Sequence, residues 1–320
     1  MSKKNILAIS ICSAVFLALL AVATFFDLQI NLAIGNGNSI FGQFFSYLGD
    51  SFAWIAVPIC ALILYQAVRK TNKYYKILKP LFLVLTFVGF YLVTNYLFGK
   101  FATEIKLEII YVLLFSVIGT FFAILGTNKV DKDLMEKLII FAVFVLICVA
   151  VSQGVITVLK HVWARQRFRN LEGGNIIGGD TSGFTPWYKP TFGKHDSGLF
   201  FADSFGEEDE DAYKSFPSGH TASAAITFVI VMLPELFEKL KKHKVWFYVV
   251  PSVITALVAV SRLVNRAHYL SDVVMAAAIT ISLIFLIKYL VYKVYEKIRL
   301  KRTKDTQTNS AEETAVEENA

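Results

Sequence analysis

Eight runs of about 17–25 apolar residues punctuate this 320-residue chain, each long enough to cross a hydrocarbon core of about 30 Å as one helix. They lie at about 5–26, 52–68, 79–98, 108–126, 138–159, 219–238, 246–261 and 272–292. In hydrocarbon every backbone polar group must be satisfied internally, so such a series of runs admits one main solution, a bundle of transmembrane helices. The sequence therefore predicts an all-α, polytopic helical membrane protein with about eight spans. Length alone would suggest two soluble domains, but only 18% of the residues are charged and 55% are hydrophobic. The first run follows Lys3-Lys4 and is longer than a signal-peptide core, so it reads as an uncleaved anchor.

The net charge of +7 would suit nucleic acid if it lay on a soluble surface. Instead the cations sit at span ends. The 69–79 loop carries five Lys or Arg and no acid, the 239–244 loop carries Lys239, Lys241, Lys242 and Lys244, and Lys293, Lys297, Arg299, Lys301, Arg302 and Lys304 follow the last run. Alternating the spans from a cytoplasmic N-terminus puts all three basic segments inside, as membrane insertion favours. Both termini are then cytoplasmic, and no nucleic-acid partner is expected. Cys12, Cys60 and Cys148 each fall within an apolar run and read as small buried hydrophobes.

Three stretches are not spans. Residues 27–51, with Asp27, Asn31, Asn36 and Asn38, read as an outer loop or interfacial segment. Residues 168–216 form a long polar insert whose run Glu207-Glu208-Asp209-Glu210-Asp211 reads as a solvated loop. Its Trp187, Tyr188, Phe192, Phe200 and Phe201 suit a small structural core, with packing on the lipid surface as the alternative. Residues 303–320 lack aromatics and have the composition of a disordered tail. The chain thus divides into N-terminal spans (1–137), a core (138–292) carrying the insert, and a cytoplasmic tail (293–320).

The chemistry concentrates at the outer ends of the last four spans. Lys160 and Arg167 are seven apart, two turns of helix, so they can project from one face as a pair of cations that suits a phosphate. Pro217-Ser218-Gly219-His220 reads as a capped helix start, whose backbone N–H groups make an anion site. His220 stands beside it, placed to protonate a leaving oxygen. Arg262 adds a third cation, and His268 and Asp272 are four apart, so a carboxylate can fix the ring's tautomer and leave one nitrogen as nucleophile. Each segment alone has a plain structural reading; together they form a kit for attacking phosphorus and stabilising the charge that develops.

Lys160 with Arg167, then Pro217-Ser218-Gly219-His220, then Ser261-Arg262 with His268 and Asp272 resemble the three-part signature of the type 2 phosphatidic acid phosphatase (PAP2) family. The resemblance covers residues 160–272 and departs once, at Phe168, where the family has Pro. We read that change as a local alteration of backbone path. The resemblance implies a phosphatase helical-bundle core in the last four spans, where members commonly have six spans in all. It implies that His268 forms a phosphohistidine, that Asp272 orients it and that His220 is the general acid. Lys160, Arg167 and Arg262 would hold the phosphoryl oxygens, with Ser218 and the Gly219 backbone completing the cradle. It implies no metal and no cofactor. The expected activity is hydrolysis of a membrane lipid phosphate or diphosphate, such as phosphatidate, phosphatidylglycerophosphate or undecaprenyl diphosphate, at the outer face of a bacterial inner membrane. The same site suits a phosphotransferase or a sugar phosphatase. A transporter is the non-enzymatic alternative, disfavoured because charge is scarce in mid-span.

Overall fold

A computed structural model describes residues 3–69, 71–101, 112–114, 116–121, 131–171, 181–192 and 212–317. Its principal helices are α1 (Lys3–Ile34), α2 (Ile40–Ala67), α3 (Tyr75–Phe101), α4 (Lys132–Trp163), α5 (Gly219–Leu236), α6 (Trp246–Val264) and α7 (Leu270–Glu317). Among the described residues there is no strand, and each of these seven helices is long and apolar enough to span a membrane. The fold is an all-α, polytopic membrane bundle. A shorter apolar helix, Val112–Phe121, falls within the predicted span at 108–126, the rest of which lies outside the described residues.

Helix α5 is the most enclosed of the seven, packed by α2, α4, α6 and α7. It opens as an α-helix over Gly219–Ala225, tightens to a 3-10 helix over Ile226–Met232 and closes at Leu233–Leu236. Phe144 and Cys148 from α4, Ile226 and Met232 from α5 and Ile284 from α7 form the centre of the bundle. The outward faces carry exposed apolar residues such as Phe25, Ile40, Ile77 and Leu81, a distribution that suits lipid rather than water. Cys60 and Cys148 are buried as expected, whereas Cys12 is exposed on α1. At the end of the bundle that carries Lys3 and the 239–244 segment, Glu235 pairs with Lys288 at 3.1 Å and Lys244 at 3.5 Å.

The structure corrects the reading of residues 27–51 as a loop. Helix α1 runs on to Ile34 and α2 begins at Ile40, leaving only 35–39 as a connection. Ser39 caps α2 by accepting from the Gly42 N–H at 3.2 Å, and the Asn36 N–H donates to the carbonyl of Val264 at 2.6 Å. Asp27 and Asn31 suggested a loop because they are polar, yet they, like Asp50, sit in helices with protein partners in place of water. The tail is also corrected, since α7 continues to Glu317; its Lys, Arg, Glu and Ala content supports helix.

Helices α2 and α3 meet where Gly89 faces Pro58. A Cβ at position 89 would come within 2.8 Å of the Pro58 Cβ and 3.2 Å of its Cα. Both proline atoms are held by backbone, so the contact has little give. Gly89→Val is therefore expected to overpack this contact and destabilise the bundle by about 2 kcal/mol, measured as a lower melting temperature in detergent; an unchanged melting temperature would show that α3 can move away freely.

Candidate active site

The three predicted segments converge at one end of the bundle. They come from the C-terminal ends of α4 and α6 and the N-terminal ends of α5 and α7. Two helices the sequence reading did not credit join them there, α1 through Asp27 and Asn31 and α2 through Ser46 and Asp50.

Helix α4 stops short of Arg167. Ala164 adopts a left-handed conformation (φ 40°, ψ 44°) and caps the helix through a bond from its N–H to the Lys160 carbonyl. Lys160 and Arg167 therefore do not share a helix face, as the spacing had suggested. Lys160 projects from the last turn of α4, and the buried Arg167 returns from the following loop, where its N–H donates to Ala212 O at 2.8 Å. Both still act electrostatically on His220, as do Arg262 and His268.

Phe168 follows in the same loop. Arg167 is extended (φ −71°, ψ 146°) and the short 3-10 helix Phe168–Asn170 starts after it. That is a conformation a residue before proline prefers. The phenylalanine ring packs edge-on against Tyr269, with centroids 6.1 Å apart, and lies under the Arg266 guanidinium.

Ser218 caps α5 as predicted, its hydroxyl oxygen accepting from the Thr221 N–H at 3.4 Å and the Thr221 hydroxyl at 3.0 Å. The first turn of α5 thus turns its N–H groups toward the site. A Cβ on Gly219 would come 3.3 Å from Lys160 Nζ, which places the lysine ammonium directly against this backbone. Arg262 is buried and donates to the Ser46 hydroxyl on α2.

His268 lies before α7 rather than within it, fully buried. Its Nδ1 is 2.6 Å from the carbonyl of Ser215 and 3.6 Å from Asp272 Oδ2. The Ser215 carbonyl is a pure acceptor, so Nδ1 carries the proton and donates to it. The nearest oxygen that fixes the tautomer is thus this carbonyl, whereas the sequence had suggested the carboxylate. Asp272 supplies negative charge slightly further off, while its Oδ2 accepts from the Ser215 hydroxyl at 2.5 Å and the Tyr269 N–H at 2.9 Å. Nε2 of His268 is buried with no hydrogen-bond partner among the described residues. Burial, reinforced by the Arg167 and Arg262 charges, pushes the His268 imidazole down to about 3, against the opposing influence of Asp272. At neutral pH the ring is therefore uncharged and Nε2 bears a lone pair.

The element missed entirely is Arg165. It is 1% exposed and bridges two carboxylates, Asp272 at 2.6 Å through one Nη and Asp27 at 3.0 Å through the other. It also donates to Ser271 Oγ at 2.7 Å and to the Thr185 carbonyl at 2.8 Å, and it stacks 4.0 Å from the centre of the Tyr269 ring. Asp27 accepts in turn from the Ser271 N–H at 2.9 Å and from its hydroxyl. One turn further along α1, Asn31 Nδ2 donates to the His268 carbonyl at 2.9 Å. A hint of this was present in the sequence. Asp27 and Asn31 are four apart, one helical turn, just beyond the first apolar run, and polar groups within a membrane helix are costly unless partnered.

Parts of the insert cover this cluster. Trp187 lies nearly parallel to Phe216 at 6.5 Å and donates from Nε1 to Thr24 Oγ1 at 3.0 Å, while its carbonyl accepts from Trp163 Nε1 at 2.5 Å. Trp187 thus belongs to a structural core, whereas Tyr188 and Phe192 are exposed. Phe200, Phe201 and the acidic run 207–211 lie outside the described residues.

Residues 141–296 match the family model of the PAP2 superfamily. Over 76 residues, 23% of its length, the chain is 36% identical to phosphatidylglycerophosphatase B of Bacillus subtilis (strain 168). The match spans only 37% of that protein. No solved structure matches the chain significantly.

The Arg165 bridge makes a quantitative demand. Arg165→Met leaves Asp27 and Asp272 buried against each other without a counter-charge, at a cost of about 3–5 kcal/mol. The expected result is a large drop in thermal stability in detergent, partly restored by adding Asp27→Asn. A loss no larger than that of an ordinary surface substitution would contradict the bridging role.

Proposed function

From the match of residues 141–296 to the PAP2 superfamily model we propose that the chain is a metal-independent phosphohydrolase acting on a membrane lipid phosphate or diphosphate through a phosphohistidine at His268. The observation that carries this reading is the state of His268: Nδ1–H held on a backbone carbonyl, Nε2 unpartnered, among Lys160, Arg167 and Arg262.

The reaction follows from these groups. The phosphoryl oxygens lie among the three cations and the N–H groups at the start of α5, which stabilise the added charge of the pentacoordinate phosphorus. His268 Nε2 attacks phosphorus as the bond to the leaving oxygen breaks, and the Ser215 carbonyl and Asp272 stabilise the imidazolium character that develops. His220 gives its proton to the departing alkoxide, which leaves as the alcohol. Water then attacks the phosphohistidine, His220 takes the proton from that water, the P–N bond breaks and inorganic phosphate departs. Lys160, Arg167, Ser218, Gly219 and Arg262 bind substrate, and His268, His220 and Asp272 carry the chemistry.

A lipid substrate suits a site at the mouth of a bundle whose outer faces are apolar, with the chain between helices and the head group in the cradle. The likeness to the Bacillus subtilis phosphatidylglycerophosphatase B makes phosphatidylglycerophosphate the first compound to test. The basic segments at one end of the bundle suit cytoplasmic termini, with the site on the extracytoplasmic face of a bacterial inner membrane.

His268→Ala is expected to lower phosphate release from the preferred lipid by at least about a thousandfold while the purified protein remains folded. Rapid quench of the unsubstituted enzyme should trap acid-labile, base-stable phosphate on His268. An active His268→Ala variant, or label on serine, would contradict the assignment. Activity should persist after chelation of divalent cations, and a loss restored only by added metal would require a different mechanism. If added alcohols capture the phosphoryl group in place of water, the chain is a transferase.

A further inference from the structure

The PAP2 match begins at residue 141, yet the proposed general acid is held by a residue from α2, far outside it. Asp50 Oδ2 lies 3.1 Å from His220 Nε2. The placement of Asp50 is built from several contacts. Ser223, one turn after His220, donates its hydroxyl to the Asp50 carbonyl at 2.8 Å and accepts from the Ala53 N–H at 3.0 Å. That single side chain stitches the backbone of α2 to α5. Gly49 lets the helices approach, since a Cβ there would meet Val258 Cγ1 at 3.0 Å and His220 Cδ2 at 3.2 Å. The Tyr96 hydroxyl from α3 donates to the same Asp50 oxygen at 3.5 Å.

The ring orientation follows. The Cδ2–Nε2 edge of His220 lies against α2, so Nδ1 is on the opposite edge, turned away from Asp50. A carboxylate on one ring nitrogen fixes the tautomer and favours the protonated ring, leaving the other nitrogen to exchange the catalytic proton. Arg262, Lys160 and Arg167 approach the same ring from α6, α4 and the loop after α4, so Asp50 is the acidic partner within a cationic surround.

We propose that Asp50 is the positioning residue of the general acid: it holds Nε2–H of His220 so that Nδ1–H delivers its proton to the leaving oxygen and takes one back from the attacking water. The bonds formed and broken are those of the proposed hydrolysis; Asp50 retains its hydrogen bond throughout and exchanges no atom with substrate. The N-terminal helices thereby become part of the active site. This role rests on the phosphatase reading above.

The test uses the full-length protein and two leaving groups. An alkyl phosphate such as phosphatidylglycerophosphate expels a basic alkoxide that needs a proton, whereas nitrophenyl phosphate expels a stable phenolate that does not. For Asp50→Asn, single-turnover cleavage of the alkyl substrate is expected to fall about a hundredfold, with first-turnover release of nitrophenolate within a few-fold of the unsubstituted enzyme. Gly49→Ala, which crowds the His220 ring where it lies against α2 while keeping the acid, should show a smaller loss of the same selective kind. Parallel losses on both substrates, or unchanged alkyl cleavage in Asp50→Asn, would overturn the role. If the unsubstituted protein cleaves neither compound, nor any other lipid phosphate, the phosphatase reading itself falls and this role with it.

Discussion

The arrangement depends on a buried guanidinium. Arg165 joins the carboxylates of Asp27 and Asp272, and those two acids belong to helices 245 positions apart in sequence (272 − 27). Either acid alone at that depth would carry a large desolvation cost, and so would the arginine. Together with Ser271, the Thr185 carbonyl and the face of Tyr269, they leave few donors or acceptors unmet. The cluster fixes the start of α7, and with it the loop that carries His268, against α1. The position of His268 therefore depends on a cluster in which Arg165 and Asp27 serve only to hold their neighbours.

From that anchor the division of labour among helices follows. Helices α4 to α7 supply the groups that would touch phosphate, and α1 and α2 supply the groups that hold them. Asn31 bonds the His268 carbonyl, Ser46 engages Arg262 and Asp50 engages His220. Two carboxylates thus serve two histidines in different ways. Asp272 stands 3.6 Å from a ring whose Nδ1 is already satisfied by a backbone carbonyl, while Asp50 is itself the nearest partner of His220. Such an asymmetry suits one histidine kept neutral for attack and one kept ready to exchange a proton.

How much of this could be read from the sequence depends on the kind of signal. The apolar runs led to the bundle because hydrocarbon leaves the backbone few options. The residues that would touch phosphate were recognisable because cations and histidines at fixed spacings are rare in such a chain. Spacing did mislead on the backbone: Lys160 and Arg167 looked like one helix face until Ala164 ended the helix, and Asp272 looked like the direct partner of His268 Nδ1. Asp27, Asp50 and Arg165 were not legible as site residues, because their partners lie more than a hundred positions away and no local pattern announces a long-range ion pair. Asp27, with Asn31, Asn36 and Asn38, also made 27–51 resemble a loop. Burial with a partner, which a sequence does not display, converts a polar residue from a loop former into a helix-packing contact.

The central claim is a double displacement with His268 as the intermediate carrier of phosphate, and stereochemistry at phosphorus tests it most directly. With a substrate whose phosphoryl group is made chiral by oxygen isotopes, and a chiral-stable alcohol as acceptor, each in-line step inverts configuration. Two inversions give net retention, which is the result this account predicts. Net inversion would mean that the acceptor attacks the substrate in a single step, and His268 would then have no covalent role.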